Sequence, residues 1–281
     1  MDIQELELIV FRVGHGLSVA LIEKPSNYVV MVDLGADVGF TPLKYLNLQR
    51  RLRPDILYIT HPHADHLADV DTALDPRFAP DYLDAQHDYD WNDVASREKP
   101  ECRELIRKYQ RLLQSVPSGN YNGNGSLTCW RYTPGEARSI FGDQKYVNAS
   151  SLFLIYCWRD FKIAIAGDHE CAVMDKFVTA QGFVQEAKGS DILIAPHHGH
   201  TNGFCPQWAP VMGQPYVTLI SVQERDQHVD SRYSNGYFAK GVNISNQMRK
   251  TLTTRMDGNI FVRMYYDVGK PIWNFNAEYS L

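Results

Sequence analysis

The apolar positions of the chain fall into short runs broken by glycine, proline and polar residues, a pattern that predicts a succession of strands. Leu6 to Val13 and Ser18 to Ile22 are separated by Gly14-His15-Gly16, and Tyr28 to Val32 follows, ending in Asp33-Leu34-Gly35. Three strands joined by tight turns fit these runs. Gly14 and Gly16 let the backbone turn sharply or approach a ligand, so His15 either reaches into a cleft or stands solvated in the turn. Thr41-Pro42 offers a helix start, with Leu43, Leu46, Leu48 and Leu52 opposite Arg50, Arg51 and Arg53. Ile56 to Ile59 is a short apolar run that ends in Thr60-His61-Pro62-His63-Ala64-Asp65-His66, so a buried strand should deliver that cluster to a loop.

Between about residues 73 and 146 the chain becomes rich in Asp, Tyr, Trp, Asn, Pro and Gly, and reads as an inserted helical and loop segment. One helix stands out, with Leu105, Ile106, Tyr109, Leu112, Leu113 and Val116 on a single stripe ending near Pro117-Ser118-Gly119. Tyr121 to Gly125 is a flexible loop, and the nearby aromatics form either a substrate wall or a satellite core. His87, flanked by aspartates, reads as a surface histidine. Leu152 to Trp158 and Lys162 to Ala166 predict a hairpin about Arg159-Asp160, its second strand ending in Gly167-Asp168-His169-Glu170. Val173 to Val178 marks a helix, and Asp191 to Ala195 a strand ending in Pro196-His197-His198-Gly199-His200. Val217 to Val222 and Asn259 to Tyr266 predict further strands, with a polar loop over Ser231 to Asn246. No internal repeat or low-complexity linker divides the chain, which reads as one domain over 1–281.

With 281 residues, 44% of them hydrophobic, the chain can bury a large core, and a net charge of -5 gives no global attraction for nucleic acid or anionic membranes. The start Met1-Asp2-Ile3-Gln4-Glu5 lacks the basic and apolar segments of a signal peptide, and no run approaches a membrane span; a cytoplasmic protein with no membrane partner is expected. Five scattered cysteines, never in a Cys-x-x-Cys pair, argue against a disulfide framework or a zinc knuckle. The strand-end clusters change the picture most. Three imidazoles and a carboxylate spaced as His61-x-His63-x-Asp65-His66 suit zinc or another borderline divalent ion. Asp168, beside a glycine at a strand end, is a candidate bridging carboxylate, and a second histidine cluster closes a second strand.

These residues resemble the metallo-β-lactamase-fold hydrolases, and more narrowly the metallo-hydrolase domain of ComEC-type competence proteins. The general signature is Thr60-His61-x-His63-x-Asp65-His66, Gly167-Asp168 and Pro196-His197-His198-Gly199. The narrower likeness adds Gly14-His15-Gly16, where that group has Gly-Gln-Gly, together with Met31 to Gly35, Asn148-Ala149-Ser150-Ser151-Leu152 and Thr254 to Ile260. The resemblance implies an α/β fold, an αββα sandwich of two mixed sheets with the site at one edge. It also implies two divalent ions, zinc first and manganese as the alternative.

Carried over by position, His61 and His63 would hold one ion, Asp65 and His66 the other, and Asp168 would bridge them. His198 would complete the second site with His197 orienting it or facing substrate, the reverse assignment remaining open. Asp33 corresponds to a carboxylate that hydrogen-bonds a ligand imidazole. The histidine that many members give the first ion from the segment before the bridging aspartate is absent, so the resemblance makes Asn148 or Ser150 the candidate stand-in, directly or through water, with His169 as another. The usual Gly-Gly after the first cluster is Ala68-Asp69 here, and His200 replaces a serine. The resemblance favours hydrolysis of a phosphodiester in nucleic acid or a nucleotide, with Asp65 orienting the attacking hydroxide and His200, His228 or His15 protonating the leaving group. Hydrolysis of a thioester, lactone or β-lactam on the same site is the first alternative, a non-catalytic partner module the second. A protein partner or a homo-oligomer is left open.

Overall fold

The computed structural model describes residues 4–267 and 270–278. Its strands are β1 (Glu5–Val10), β2 (Val19–Lys24), β3 (Tyr28–Val32), β4 (Ile56–Ile59), β5 (Tyr82–Ala85), β6 (Ser126–Trp130), β7 (Phe153–Trp158), β8 (Phe161–Ile165), β9 (Ile192–Ile194), β10 (Val217–Ile220), β11 (Val242–Ile244), β12 (Gln247–Arg249), β13 (Thr251–Thr253), β14 (Asn259–Asp267) and β15 (Lys270–Glu278). One sheet has the order β15-β14-β1-β2-β3-β4-β5 and a second the order β13-β10-β9-β8-β7-β6, while β11 and β12 form a separate ribbon. Both large sheets are mixed. Strands β3, β4 and β5 run parallel in the first, as do β8, β9, β10 and β13 in the second.

Alternation along the strands builds the sandwich. Leu6, Leu8 and Val10 of β1, with Val30 and Val32 of β3, share one apolar cluster with Leu154, Tyr156, Ile163, Ile165 and Leu219 of the other sheet, so these positions face inward. The intervening residues, Ile9 of β1 and Met31 of β3 among them, join a cluster with the helical Leu43, Leu46, Val70 and Ile106. On the second sheet, Phe153 and Ala164 pack with Val173, Phe177, Phe183 and Trp208 in the same way. Helices therefore cover the outer faces, giving the expected αββα layers. No helix among the described residues is long and apolar enough to cross a membrane.

Residues 73–146 do more than insert. They supply β5 and β6, an edge strand to each sheet, besides the stripe helix Arg103–Ser115. Tyr82–Ala85 is too short and too mixed for alternation to reveal it. The expected polar loop over Ser231 to Asn246 contains β11 and reaches toward β12, and β15 adds a strand after the one expected to be last.

At the far end of β2 from the Gly14-Gly16 turn, the carboxylate of the fully buried Glu23 accepts hydrogen bonds from Tyr121 Oη, from Tyr156 Oη at 2.8 Å and from Asn124 N at 2.6 Å. One buried charge thus ties the Tyr121 to Gly125 loop to both sheets. Glu23→Ala strands two hydroxyls and an amide in the interior, and is expected to lower unfolding free energy by about 2–4 kcal/mol, read as a lower urea midpoint, with metal binding unchanged.

Candidate metal centre

The parallel strands place the chemistry. Residues that follow β3, β4, β8, β9 and β10 all lie at carboxyl ends of parallel strands, and the two sheets bring those ends together. Asp33 follows β3, His61 to His66 follow β4, Asp168 follows β8, His197 and His198 follow β9, and Ser221 follows β10.

His61 Nε2 and His63 Nδ1 lie 3.0 Å apart. His66 Nε2 stands 3.3 Å from Asp168 Oδ1 and 3.7 Å from Asp65 Oδ2. His198 Nε2 is 3.4 Å from both Asp168 Oδ2 and Asp65 Oδ2, and His61 Nε2 is 3.8 Å from Asp168 Oδ2. These spacings decide what the cluster suits. Charge-assisted hydrogen bonds close to about 2.7–2.9 Å, whereas ligand atoms around a tetrahedral ion with bonds of roughly 2.0–2.1 Å sit about 3.3 Å from one another. His66 Nε2 and His198 Nε2 are moreover buried with no hydrogen-bond partner. Buried nitrogens facing carboxylates at ligand spacing fit a divalent ion. His61, His66 and Asp168 form one such group and His15, Asp65 and His198 a second.

The rings are aimed by their other nitrogens. His66 Nδ1 lies 2.7 Å from Asp33 Oδ2, and the Thr60 hydroxyl donates to that same carboxylate while sitting 3.1 Å from His61 Nδ1. His198 Nδ1 lies 3.2 Å from the Ser221 carbonyl. Each contact leaves Nε2 free to face the centre as an acceptor. Asp33 is fully buried behind His66, and Thr60 opens the motif, whereas Ser221 was not singled out in the sequence.

Charge follows geometry. Burial would push the Asp168 carboxyl up, but the His198 and His66 imidazoles overcome this and hold it well below the carboxylate range. Burial lowers His198, yet the facing Asp168 carries it up to about 10, and Asp168 and Asp33 together raise His66 well above its ordinary value. Without an ion, protons on the His66 and His198 imidazoles balance the charge of the facing carboxylates. An ion must displace them, so its affinity falls as pH falls.

The other expected site residues divide. His197, half-buried, turns its Nδ1 toward Asn202 Nδ2 at 3.4 Å and belongs to neither ligand group. His197 and His198 both adopt left-handed backbone, φ 49° and 54°, which throws their side chains to different sides. His200 Nε2 bonds Asp226 Oδ2 at 2.8 Å, and the His228 ring lies 5.8 Å from that of His200. The Ser150 hydroxyl is engaged by Tyr89 Oη at 2.8 Å and the Val147 carbonyl at 3.1 Å. His169 packs against Phe153 and Phe177, where burial pushes it down to about 3, and it joins neither group. Asn148 Oδ1 is buried without a partner. Asp226, missed in the sequence, sits in a polar stretch after β10 with no motif to mark it.

Residues 14–125 match the family described as the metallo-beta-lactamase superfamily. No curated protein matches the chain. Similar solved structures include the metallo-beta-lactamase fold protein YhfI from Bacillus subtilis, 13% identical over 80% of this chain and 89% of that one with a TM-score of 0.46. A diphosphatase of the PhnP family is 10% identical over 98% of this chain and 100% of its own, with a TM-score of 0.47. Zinc-bound PqqB from Methylobacterium extorquens is 9% identical over 80% and 83%, with a TM-score of 0.38. Over residues 14–125 the chain is thus similar to the metallo-beta-lactamase superfamily, and it folds as the expected sandwich of two mixed sheets.

Proposed function

We propose that this protein is a dinuclear metal-dependent phosphodiesterase of the ComEC type, acting on nucleic acid or a nucleotide. The observation that carries the metal reading is the spacing of the His61, His66 and His198 imidazoles from the Asp65 and Asp168 carboxylates, 3.3 to 3.8 Å, which is longer than a charge-assisted hydrogen bond and right for shared ions. In this reading His61, His63 and Asp168 hold the first ion, and Asp65, His66, His198 and Asp168 the second. Zinc suits the imidazole-rich donors, and manganese is the alternative. When bound, such a pair acidifies water and offsets charge that develops on the substrate.

The chain's own residues supply the rest. Asp65, whose side chain is 25% exposed, faces the cleft and can take the proton of an attacking water. His200, held through Nε2 by Asp226, and His228 beside it border the same cleft and can protonate a departing alkoxide. That rim favours the phosphodiester over the thioester. A thiolate leaves without a proton, since thiols ionise near pH 8.5, whereas an alkoxide does not.

A substrate panel tests the assignment: a chromogenic phosphodiester, a dinucleotide and single-stranded DNA against a thioester, a lactone and a β-lactam, each with manganese or zinc. Turnover confined to the phosphodiesters is expected. Turnover confined to the acyl substrates would transfer the site to the alternative hydrolase.

A further inference from the structure

The Gly14-His15-Gly16 turn is built against the metal loops. Gly16 has φ 130°, and a Cβ there would stand 2.3 Å from the Asp65 carbonyl oxygen, so only glycine lets the turn lie so close. The Ser221 hydroxyl donates to the Gly16 carbonyl at 2.6 Å, and the Ser221 carbonyl holds His198 Nδ1 at 3.2 Å. One residue therefore positions both histidines. The His15 ring lies 4.6 Å from that of His198, and His15 Nε2 is 3.7 Å from Asp65 Oδ2, the same distance as His66 Nε2 to that oxygen. On its other side His15 Nδ1 faces Asp226 Oδ2 at 4.0 Å, a carboxylate oxygen that also bonds His200 Nε2 at 2.8 Å.

We propose that His15 is a ligand of the second metal ion, joining Asp65, His66, His198 and Asp168, with Asp226 as the residue that positions it. This rests on the dinuclear reading above and replaces the substrate-facing role that the sequence suggested for His15. It gives the second ion a fuller shell than a four-coordinate zinc site requires, which suits an ion that accepts five or six ligands, such as manganese or cobalt.

The test is a cobalt titration of the chelator-stripped protein, followed by visible absorption and by elemental analysis after gel filtration. Wild type is expected to keep two ions per chain. His15→Gln is expected to bind the first ion as wild type does and the second at least about 10- to 100-fold more weakly, with an altered cobalt spectrum. His15→Glu, of similar size but with a ligating carboxylate, is expected to recover the second ion, and this pair separates ligation from a folding defect. Asp226→Asn weakens the second ion less than His15→Gln does. If His15→Gln titrates as wild type does, His15 is not a ligand and only this inference falls. If wild type itself takes fewer than two ions, the dinuclear reading falls and this inference with it.

Discussion

Asp168→Ala is expected to abolish hydrolysis and to strip most of the bound metal, while Cys171→Ser, three residues on, does neither. The Asp168 carboxylate turns both oxygens to imidazoles of the two strand-end clusters: Oδ1 toward His66, Oδ2 toward His61 and His198. Removing it deletes a ligand of each proposed ion at once. It also leaves His66 and His198 beside a buried space with less negative charge to draw a cation. The loss of affinity should therefore exceed the roughly 10- to 100-fold seen when an outer partner of a ligand is removed. Cys171 begins the next helix, where its thiol contacts Asp175 at 3.7 Å and touches no ligand. Elemental analysis and turnover of both variants check the contrast; full metal occupancy in Asp168→Ala would remove the bridging role.

His198→Ala is expected to lose the second ion and nearly all turnover, whereas His197→Ala keeps both ions. Adjacent histidines of one motif differ this much because of the backbone between them. The left-handed turn after β9 buries His198 to 3% exposure, with Nε2 against Asp65 and Asp168, and turns His197 toward Asn202. Equal metal loss in both variants would contradict this assignment.

Much of the arrangement was legible in the sequence because metal ligation demands dense, short-range patterns. The His61 to His66 cluster, Gly167-Asp168 and Pro196 to Gly199 each announce themselves at the end of an apolar run, and parallel pairing does the rest. The choice between His197 and His198 was not legible, since it depends on two left-handed residues that no local pattern requires. Asp226 and Ser221 escaped for a different reason. Asp226 reaches His200 from a polar stretch and Ser221 reaches His198 and Gly16 from a strand end, and one carboxylate or one serine at such a place carries no pattern. Likewise β5 and β6, edge strands with partly exposed residues, lack the continuous apolar run that revealed β4 and β9.

An activity titration tests most directly whether two ions held between these strand ends perform the hydrolysis. Metal-free protein at known concentration would receive manganese or zinc in steps while cleavage of a chromogenic phosphodiester is followed. No turnover is expected without metal, followed by a rise that breaks at two ions per chain. Full activity at one ion per chain, or turnover in the metal-free protein, would contradict it.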